Sequence, residues 1–534
     1  MEKHSSIFYA IPSLPSSDWE SQHYHDSLRL SERFLYFDLP ELCYLVAKST
    51  KRETCDISRL VKIAESHSYR MLEVTFLDGL KVIVRLPYPC TTPRKYGVAS
   101  EVATMEFLRD YDVPIPKILA WSSSNNLVGS EFILMEGVSG KLLSETWYVM
   151  TDEEKRGIIK KVVDIESTLF KIRLPAHGSL YLQGYLDRGV RTVDIPNDHG
   201  SNNPARFCIG PSTEQPWWHQ KRDELPVNRG PWRTAEEVLK SAGDREKLWL
   251  QRFGKMRYPK GALYREPYDG ERVDPRVQIE HLSDYMKLAP YLVPKEEELN
   301  MPTIRHPGLS PSNIFVSESG EITGIIDWQH TTILPKFLQA KPSKCLQNDT
   351  SEKFRRLDFA KDALYVGSTE TQKEAERCQQ REGFHLDPTN IDELDSAHFS
   401  TTEKRSLCLP KQIYDIASRP WEGDITSLQA HLIKALAEWS AIASPEDEPP
   451  IRYSEEEIKE CLDGHAKQKR AGKRAQLVRD FIGCDVDGLV RTEDYQNALR
   501  RARMAKKILM EGSTGNERKK QFRKLWPYRT INRS

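Results

Sequence analysis

The chain has 534 residues, 38% of them hydrophobic, and 78 Lys plus Arg balance 78 Asp plus Glu. That length and apolar share fit folded domains with buried cores and exclude a disordered or fibrous chain. The even charge balance gives no overall field toward nucleic acid or an anionic membrane and argues against nucleic acid as a partner.

The nine cysteines never fall in C-x-x-C spacing, which argues against a disulfide framework or zinc site and fits reduced thiols inside a cell. No run approaches the ~20 apolar residues of a transmembrane helix. The first residues include Glu2, Asp18 and Glu20 and match neither a signal peptide nor an arginine-rich presequence. A soluble, intracellular protein is the expectation.

Residues 1–28 are polar and aromatic with Pro12 and Pro15, and read as a loosely ordered arm. A β-rich run from Met71 to Leu77, the turn pair Asp78-Gly79 and a second run from Lys81 to Leu86 predict an antiparallel hairpin, stopped by Pro87 and Pro89. Val98, Val102, Met105 and Leu108 recur at helical spacing and place Glu101 on a helix ending before Pro114. The run Phe132 to Val138 predicts a buried strand leading into a linker. Thr151 and Glu154 form a capping box ahead of Ile158, Ile159, Val162, Ile165 and Leu169, which marks a long helix.

Residues 184–300 are richer in Pro, Trp and charge, without a repeat, and read as an elaboration on the helical part in which Trp217, Trp218 and Trp232 supply packing. A polar stretch occupies about 340 to 405. Helices resume near Ile425 to Ile442 and Glu455 to Asp480. The tail of 501–534 is basic, with Phe522, Trp526 and Tyr528 interleaved; it reads as a solvated helix face or, alternatively, a surface for RNA or an anionic membrane.

The chemistry lies between 304 and 328. Phosphoryl transfer needs a carboxylate to orient the attacking hydroxyl, and acid and amide oxygens to hold magnesium against the phosphates. Kinases supply these from a loop of pattern H-x-D-L-x-P-x-N, followed by two short strands and a metal-binding aspartate. Here the loop reads His306-Pro307-Gly308-Leu309-Ser310-Pro311-Ser312-Asn313. It matches at His306, Leu309, Pro311 and Asn313, and Gly308 stands where the catalytic aspartate belongs. Ile314 to Ser317, the turn Ser319-Gly320 and Ile322 to Ile326 then predict a hairpin that returns Asp327 toward Asn313.

This segment resembles the aminoglycoside phosphotransferase family, related to protein kinases. It is similar in particular to the fungal altered-inheritance-of-mitochondria subgroup, through Arg85-Leu86-Pro87, Ala99 to Thr104, Pro114-Ile115-Pro116-Lys117 and Gly324 to Trp328. The resemblance implies an α+β, two-lobed, protein kinase-like fold. Its parts would be a small antiparallel N-lobe over 29–138 and a larger helical C-lobe over 139–500, the latter holding the insertion and the hairpin of 304–328. It implies ATP and Mg2+ as cofactors, with Arg85 at the phosphates and Glu101 as its partner. Met135, Glu136 and Val138 would lie along adenine, and Asn313 and Asp327 at the metal. His306 would be a structural landmark of the loop. The subgroup's name implies a mitochondrial site, against the cytoplasmic alternative that an N-terminus unlike a presequence leaves open.

Two departures bear on activity. Gly308 has no side chain to orient a hydroxyl, and Ala64 to Arg70 lacks the glycines of a phosphate-covering turn. The leading expectation is a nucleotide-binding but catalytically impaired protein that acts on an unknown small-molecule or protein partner. The alternatives are an active ATP-dependent phosphotransferase acting on a small-molecule hydroxyl, with Ser310 or another loop replacing the missing carboxylate, and a structural or RNA-associated protein using its basic tail.

Overall fold

The computed structural model describes residues 9–10, 33–66, 68–196, 206–259, 268, 271–339, 405–444, 446–484, 490 and 495–511. Most of the predicted N-terminal arm, His67, the polar stretch of 340–404 and the tail beyond Glu511 lie outside the described residues.

The first layer is a five-stranded antiparallel sheet. Its strands are β1 (Ile57–Glu65), β2 (Tyr69–Phe76), β3 (Lys81–Pro87), β4 (Ile118–Ser122) and β5 (Phe132–Glu136), in the order β1-β2-β3-β5-β4. The predicted hairpin is β2–β3, closed at Asp78-Gly79 with Gly79 at φ 86°. That left-handed conformation carries no steric penalty in glycine. Strand β1 escaped the sequence reading because it lies at the sheet edge, where its residues are half-exposed or exposed and no apolar alternation develops. Helix α1 (Leu39–Ser49), capped by Asp38, covers one face of this sheet through Leu42 and Val46. Helix α2 (Tyr96–Arg109) covers the other through Val98, Val102 and Met105.

After β5 the chain becomes mainly helical. Helix α3 (Asp152–Lys171) starts at the predicted Thr151/Glu154 capping box. Two long helices, α4 (Ala235–Phe253) and α5 (Pro275–Leu288), form the body of the elaboration and share a second core with α6 (Arg405–Ala417) and α7 (Thr426–Ala437). Trp217 and Trp232 are fully buried there with ring centroids 5.1 Å apart. Trp218 packs at the edge of the same core and also meets Tyr96, the first residue of α2, with ring centroids 5.4 Å apart and tilted by 45°. The chain then runs through α8 (Glu455–Ile482) into α9 (Tyr495–Glu511), which packs back on α8 and crosses position 500 without a break.

A five-stranded antiparallel unit followed by a larger helical one is the α+β, two-lobed, kinase-like fold expected. The join is short. After β5 the segment Gly137 to Leu142 passes over the hairpin of β11 (Ile314–Val316) and β12 (Ile322–Ile325), and its strand β6 (Lys141–Leu142) pairs with β11. Three short strands of 179–210, numbered β7 to β9 in chain order, and β10 (Pro302–Ile304) precede that hairpin.

Candidate functional site

Arg85 lies near the end of β3, paired in register with Met71 on one side and Ile133 on the other. It is 3% exposed, as is Glu101 on α2. The guanidinium donates through Nη1 to Glu101 and through Nη2 to Asp327 Oδ1 at 3.0 Å and Gln329 Oε1 at 2.9 Å. The Tyr69 ring lies over it, 3.9 Å from the centroid. Strand β3, helix α2 and the segment that follows hairpin β11–β12 therefore meet at one guanidinium. Arginine suits this place because its planar fork serves several acceptors at once, which an ammonium does less well.

The loop of 306–313 is tied to the hairpin by His306. Its Nδ1 accepts from the Gly308 amide at 3.0 Å, so Nε2 carries the hydrogen and donates to the Ile326 carbonyl at 2.9 Å. The ring is buried against the edge of Trp328. Burial pushes its pKa down to about 4, with the Ile326 carbonyl and Asp327 opposing. This neutral imidazole ties the loop to the hairpin.

Asn313 Nδ2 donates to the Gly308 carbonyl at 2.9 Å, which directs its Oδ1 away from that loop. The Asn313 carbonyl accepts from the Ile326 amide at 3.0 Å, bringing Asp327 beside the loop. Asp327 has φ 68°, a left-handed conformation costly for a residue with a side chain. Its side chain is 34% exposed, and one of its oxygens is bonded to Arg85. An amide oxygen and a half-exposed carboxylate fit a hard cation that completes its shell with water and phosphate oxygens, as Mg2+ does.

Gly308 leaves open space: a Cβ built there meets nothing within 4 Å. Its backbone borders a cavity of about 270 Å3 shared with Glu214, Arg245, Arg305, Lys411 and Tyr414. The Ser310 hydroxyl is engaged with Ser312 at 2.9 Å.

The candidates along adenine sit on the other side of the hairpin. Met135 is buried between Ile83 and Ile118, while the Glu136 side chain points to solvent. The Glu136 and Gly137 amides donate to the Lys117 and Lys81 carbonyls, at 3.0 Å each. Val138 packs onto β12 so closely that a Cβ on Gly324 would lie 2.5 Å from its Cγ1.

Three residues of the site escaped the sequence reading. Tyr69 sits diagonally across β2–β3 from Arg85, two residues from its register partner Met71, an offset readable once the hairpin is drawn. Ser66 Oγ accepts from the amides of Ser68 at 3.1 Å and Tyr69 at 3.2 Å. These are the backbone donors that a glycine-rich turn would present to phosphate. Glu214 belongs to a loop whose Thr213 carbonyl accepts from His330 Nδ1 at 2.8 Å, three residues past Asp327. Loss of solvation raises the Glu214 carboxyl above the usual range, with Arg245 opposing. No sequence motif marked it.

The profile of the phosphotransferase enzyme family matches residues 60–335, just over half of the chain, including Arg85, Glu101 and the loop and hairpin of 306–327. The chain belongs to that family. Among similar proteins, a subtelomeric hrmA-associated cluster protein of Aspergillus fumigatus is 27% identical over 508 residues, covering 88% of this phosphotransferase-family chain and 96% of that protein. Altered inheritance of mitochondria protein 9, mitochondrial, of Saccharomyces cerevisiae is 28% identical over 329 residues, 56% of this chain. The chain spans about half of that yeast protein's length, 51%. Similar solved structures include a thermostable mutant of aminoglycoside phosphotransferase APH(4)-Ia with ADP and hygromycin B, at 10% identity, 78% and 94% coverage and a TM-score of 0.34. A gentamicin complex of APH(2")-IIa is 11% identical over 80% of this chain and 95% of that one, with a TM-score of 0.36. No helix among the described residues is long and apolar enough to cross a membrane.

Proposed function

We propose that this phosphotransferase-family protein binds ATP with Mg2+ and is impaired in phosphoryl transfer, acting through the nucleotide-bound state on a small-molecule or protein partner. The observation that carries the reading is the pairing of Arg85 with Glu101 and Asp327 beside a loop that has glycine at 308. In this reading the groups that would hold a nucleotide are kept, and the carboxylate that would orient its attacker is replaced by glycine at 308. Arg85 would contact the phosphates, and Met135, Glu136 and Val138 would border adenine. Asn313 and Asp327 would hold the cation, which when bound supplies charge neutralisation across the phosphates. Losing a general base alone costs about 10²–10⁴ in rate.

The Ser66-capped turn supports the same reading, because amides engaged by a hydroxyl are not available to grip a γ-phosphate. The relatives named for mitochondrial inheritance favour a mitochondrial site of action.

A second reading, an active phosphotransferase on a small-molecule hydroxyl, has Glu214 in its favour. This carboxylate borders the same cavity as Gly308, and a raised pKa suits a general base. In that reading Glu214 would take the proton of the acceptor hydroxyl.

The deciding measurement is ATP-induced thermal stabilisation together with ATP turnover in the natural chain, Asp327→Ala and Gly308→Asp. Impairment predicts Mg2+-dependent stabilisation that Asp327→Ala abolishes, and turnover only in Gly308→Asp. Turnover by the natural chain that Glu214→Gln removes selects the second reading. Absence of ATP stabilisation in every variant sinks both.

A further inference from the structure

The even charge balance of the whole chain conceals a local excess. From His465 to Arg479 the sequence of α8 contains Lys467, Lys469, Arg470, Lys473, Arg474 and Arg479 and no acidic residue. Helix α9 adds Arg500, Arg501, Arg503, Lys506 and Lys507 before its first acid, Glu511. The acids of α8 lie outside this stretch: Glu455, Glu456, Glu457, Glu460 and Asp463 precede it and Asp480 follows it.

Packing fixes where these cations point. Ala471, Ala475, Val478 and Ile482 of α8 and Ala498, Ala502 and Ala505 of α9 are buried, and from Ala475 onward they form one small core between the two helices. The apolar stripes of the two helices thus face each other, a second face of α8 packs on α7 through Cys461, His465 and Gln468, and the cation-bearing faces are turned to solvent. On α8, Lys467, Arg470 and Arg474 recur at i, i+3 and i+7; on α9, Arg500, Arg503 and Lys507 repeat that spacing, and all six are exposed. Each stripe carries three cations over about 10 Å of helix. Among the described residues, Lys467, Arg470, Arg500 and Arg503 take part in no salt bridge. Alanines at the contact let the helices approach closely, so the pair forms a narrow basic ridge.

We propose that the α8–α9 hairpin is a binding surface for the phosphodiester backbone of single-stranded nucleic acid, RNA in the first instance. The spacing matches a polymer carrying one charge per nucleotide, and the absence of interleaved acids removes the self-neutralisation of an ordinary solvated helix. A membrane surface is the weaker fit. A helix lying in a bilayer interface sinks an apolar face among the headgroups, whereas here those faces are buried against each other and Met504 is the one large apolar side chain exposed between the α9 cations. Binding of this kind reads charge, not base sequence. The surface lies outside the residues matched to the phosphotransferase family, so the proposal stands whether or not the nucleotide site is active.

The test is fluorescence anisotropy of the full chain with a labelled mixed-sequence RNA of about 20 nucleotides. With six cations at phosphates, the log affinity should fall with log salt at a slope of about −4. Combined Lys467→Glu, Arg470→Glu and Arg503→Glu should weaken binding at least tenfold at low salt, with the melting temperature unchanged because the three side chains are exposed. Exchanging the same residues as Lys467→Arg, Arg470→Lys and Arg503→Lys should restore it. No RNA binding at about 50 mM salt, binding that the charge reversals leave intact, or displacement of the RNA by phosphatidylcholine–phosphatidylserine vesicles would each overturn the proposal.

Discussion

Arg85 and Asp327, 242 residues apart in sequence, meet through a 3.0 Å hydrogen bond from Nη2 to Oδ1. The same guanidinium holds Glu101 and Gln329. One side chain therefore links the sheet, its packed helix and the segment after the β11–β12 hairpin. A phosphate would have to compete with Asp327 and Gln329 for Nη2, while a cation at Asp327 would release Arg85 toward the phosphate.

Replacing Arg85 with methionine leaves the buried Glu101 carboxylate without its counter-charge. Breaking a buried pair from one side costs about 3–5 kcal/mol, so chemical denaturation should show a loss of that size. Arg85→Lys should retain part of the stability by keeping the charge near Glu101, and lose the bond to Asp327 or Gln329 because an ammonium cannot span the fork. Equal stability of the methionine variant and the natural chain would contradict the pairing.

Gly308→Asp should fold normally. The position has no close neighbour for a Cβ and does not have a positive φ, so its melting temperature should stay within about 1–2 °C of the natural chain, in line with a change below about 0.5 kcal/mol. A large loss would show that the added carboxylate cannot share the cavity with Glu214.

His306 gives the chain a pH dependence of defined sign. Burial holds the folded-state pKa at about 4, against 6.5 for the free side chain. As pH falls below 6.5 the unfolded chain takes up the proton first, so stability falls between about pH 6.5 and 4, by on the order of 3 kcal/mol, and is unaffected above that window. Protonating Nδ1 also breaks its bond from the Gly308 amide. His306→Gln should lower stability at neutral pH and flatten the slope in this window, measured by urea melts at several pH values. An unchanged slope would remove His306 as its source.

Ser66→Ala frees the amides of Ser68 and Tyr69 from the Ser66 hydroxyl. The cost should be about 1 kcal/mol, as for the loss of a helix cap. If this turn covers the phosphates as the proposed function has it, ATP affinity by calorimetry should hold or rise, since two amide donors are freed. A fall in affinity would show that the capped turn itself contacts the nucleotide.

Gly324→Ala places a methyl 2.5 Å from Val138 Cγ1. Overpacking of this kind costs about 1–3 kcal/mol, and Val138→Ala in the same chain should recover most of it. A double-mutant cycle with no coupling would show that the linker shifts away from the hairpin freely.

Local pattern carried much of this molecule. The β2–β3 hairpin, the helix bearing Glu101, the Thr151/Glu154 cap and the β11–β12 hairpin were legible because turn chemistry, apolar period and capping act within a few residues. The edge strand Ile57–Glu65 was not, since half-exposure on both faces leaves no period to read. Tyr69 and Glu214 were not, because neither role is written near its own position: one follows from strand register, the other from a loop locked to His330.

The sequence by itself determined the absence of a carboxylate at 308, which is residue identity, and, through the resemblance of its motifs to the aminoglycoside phosphotransferase family, the α+β kinase-like fold. Only the tertiary structure decided that Arg85 is shared between Glu101 and Asp327, that the turn amides are capped by Ser66, and that the cations of α8 and α9 line an exposed ridge. Those facts depend on which side chains become neighbours when distant segments pack, and hydrogen bonds and burial are settled there.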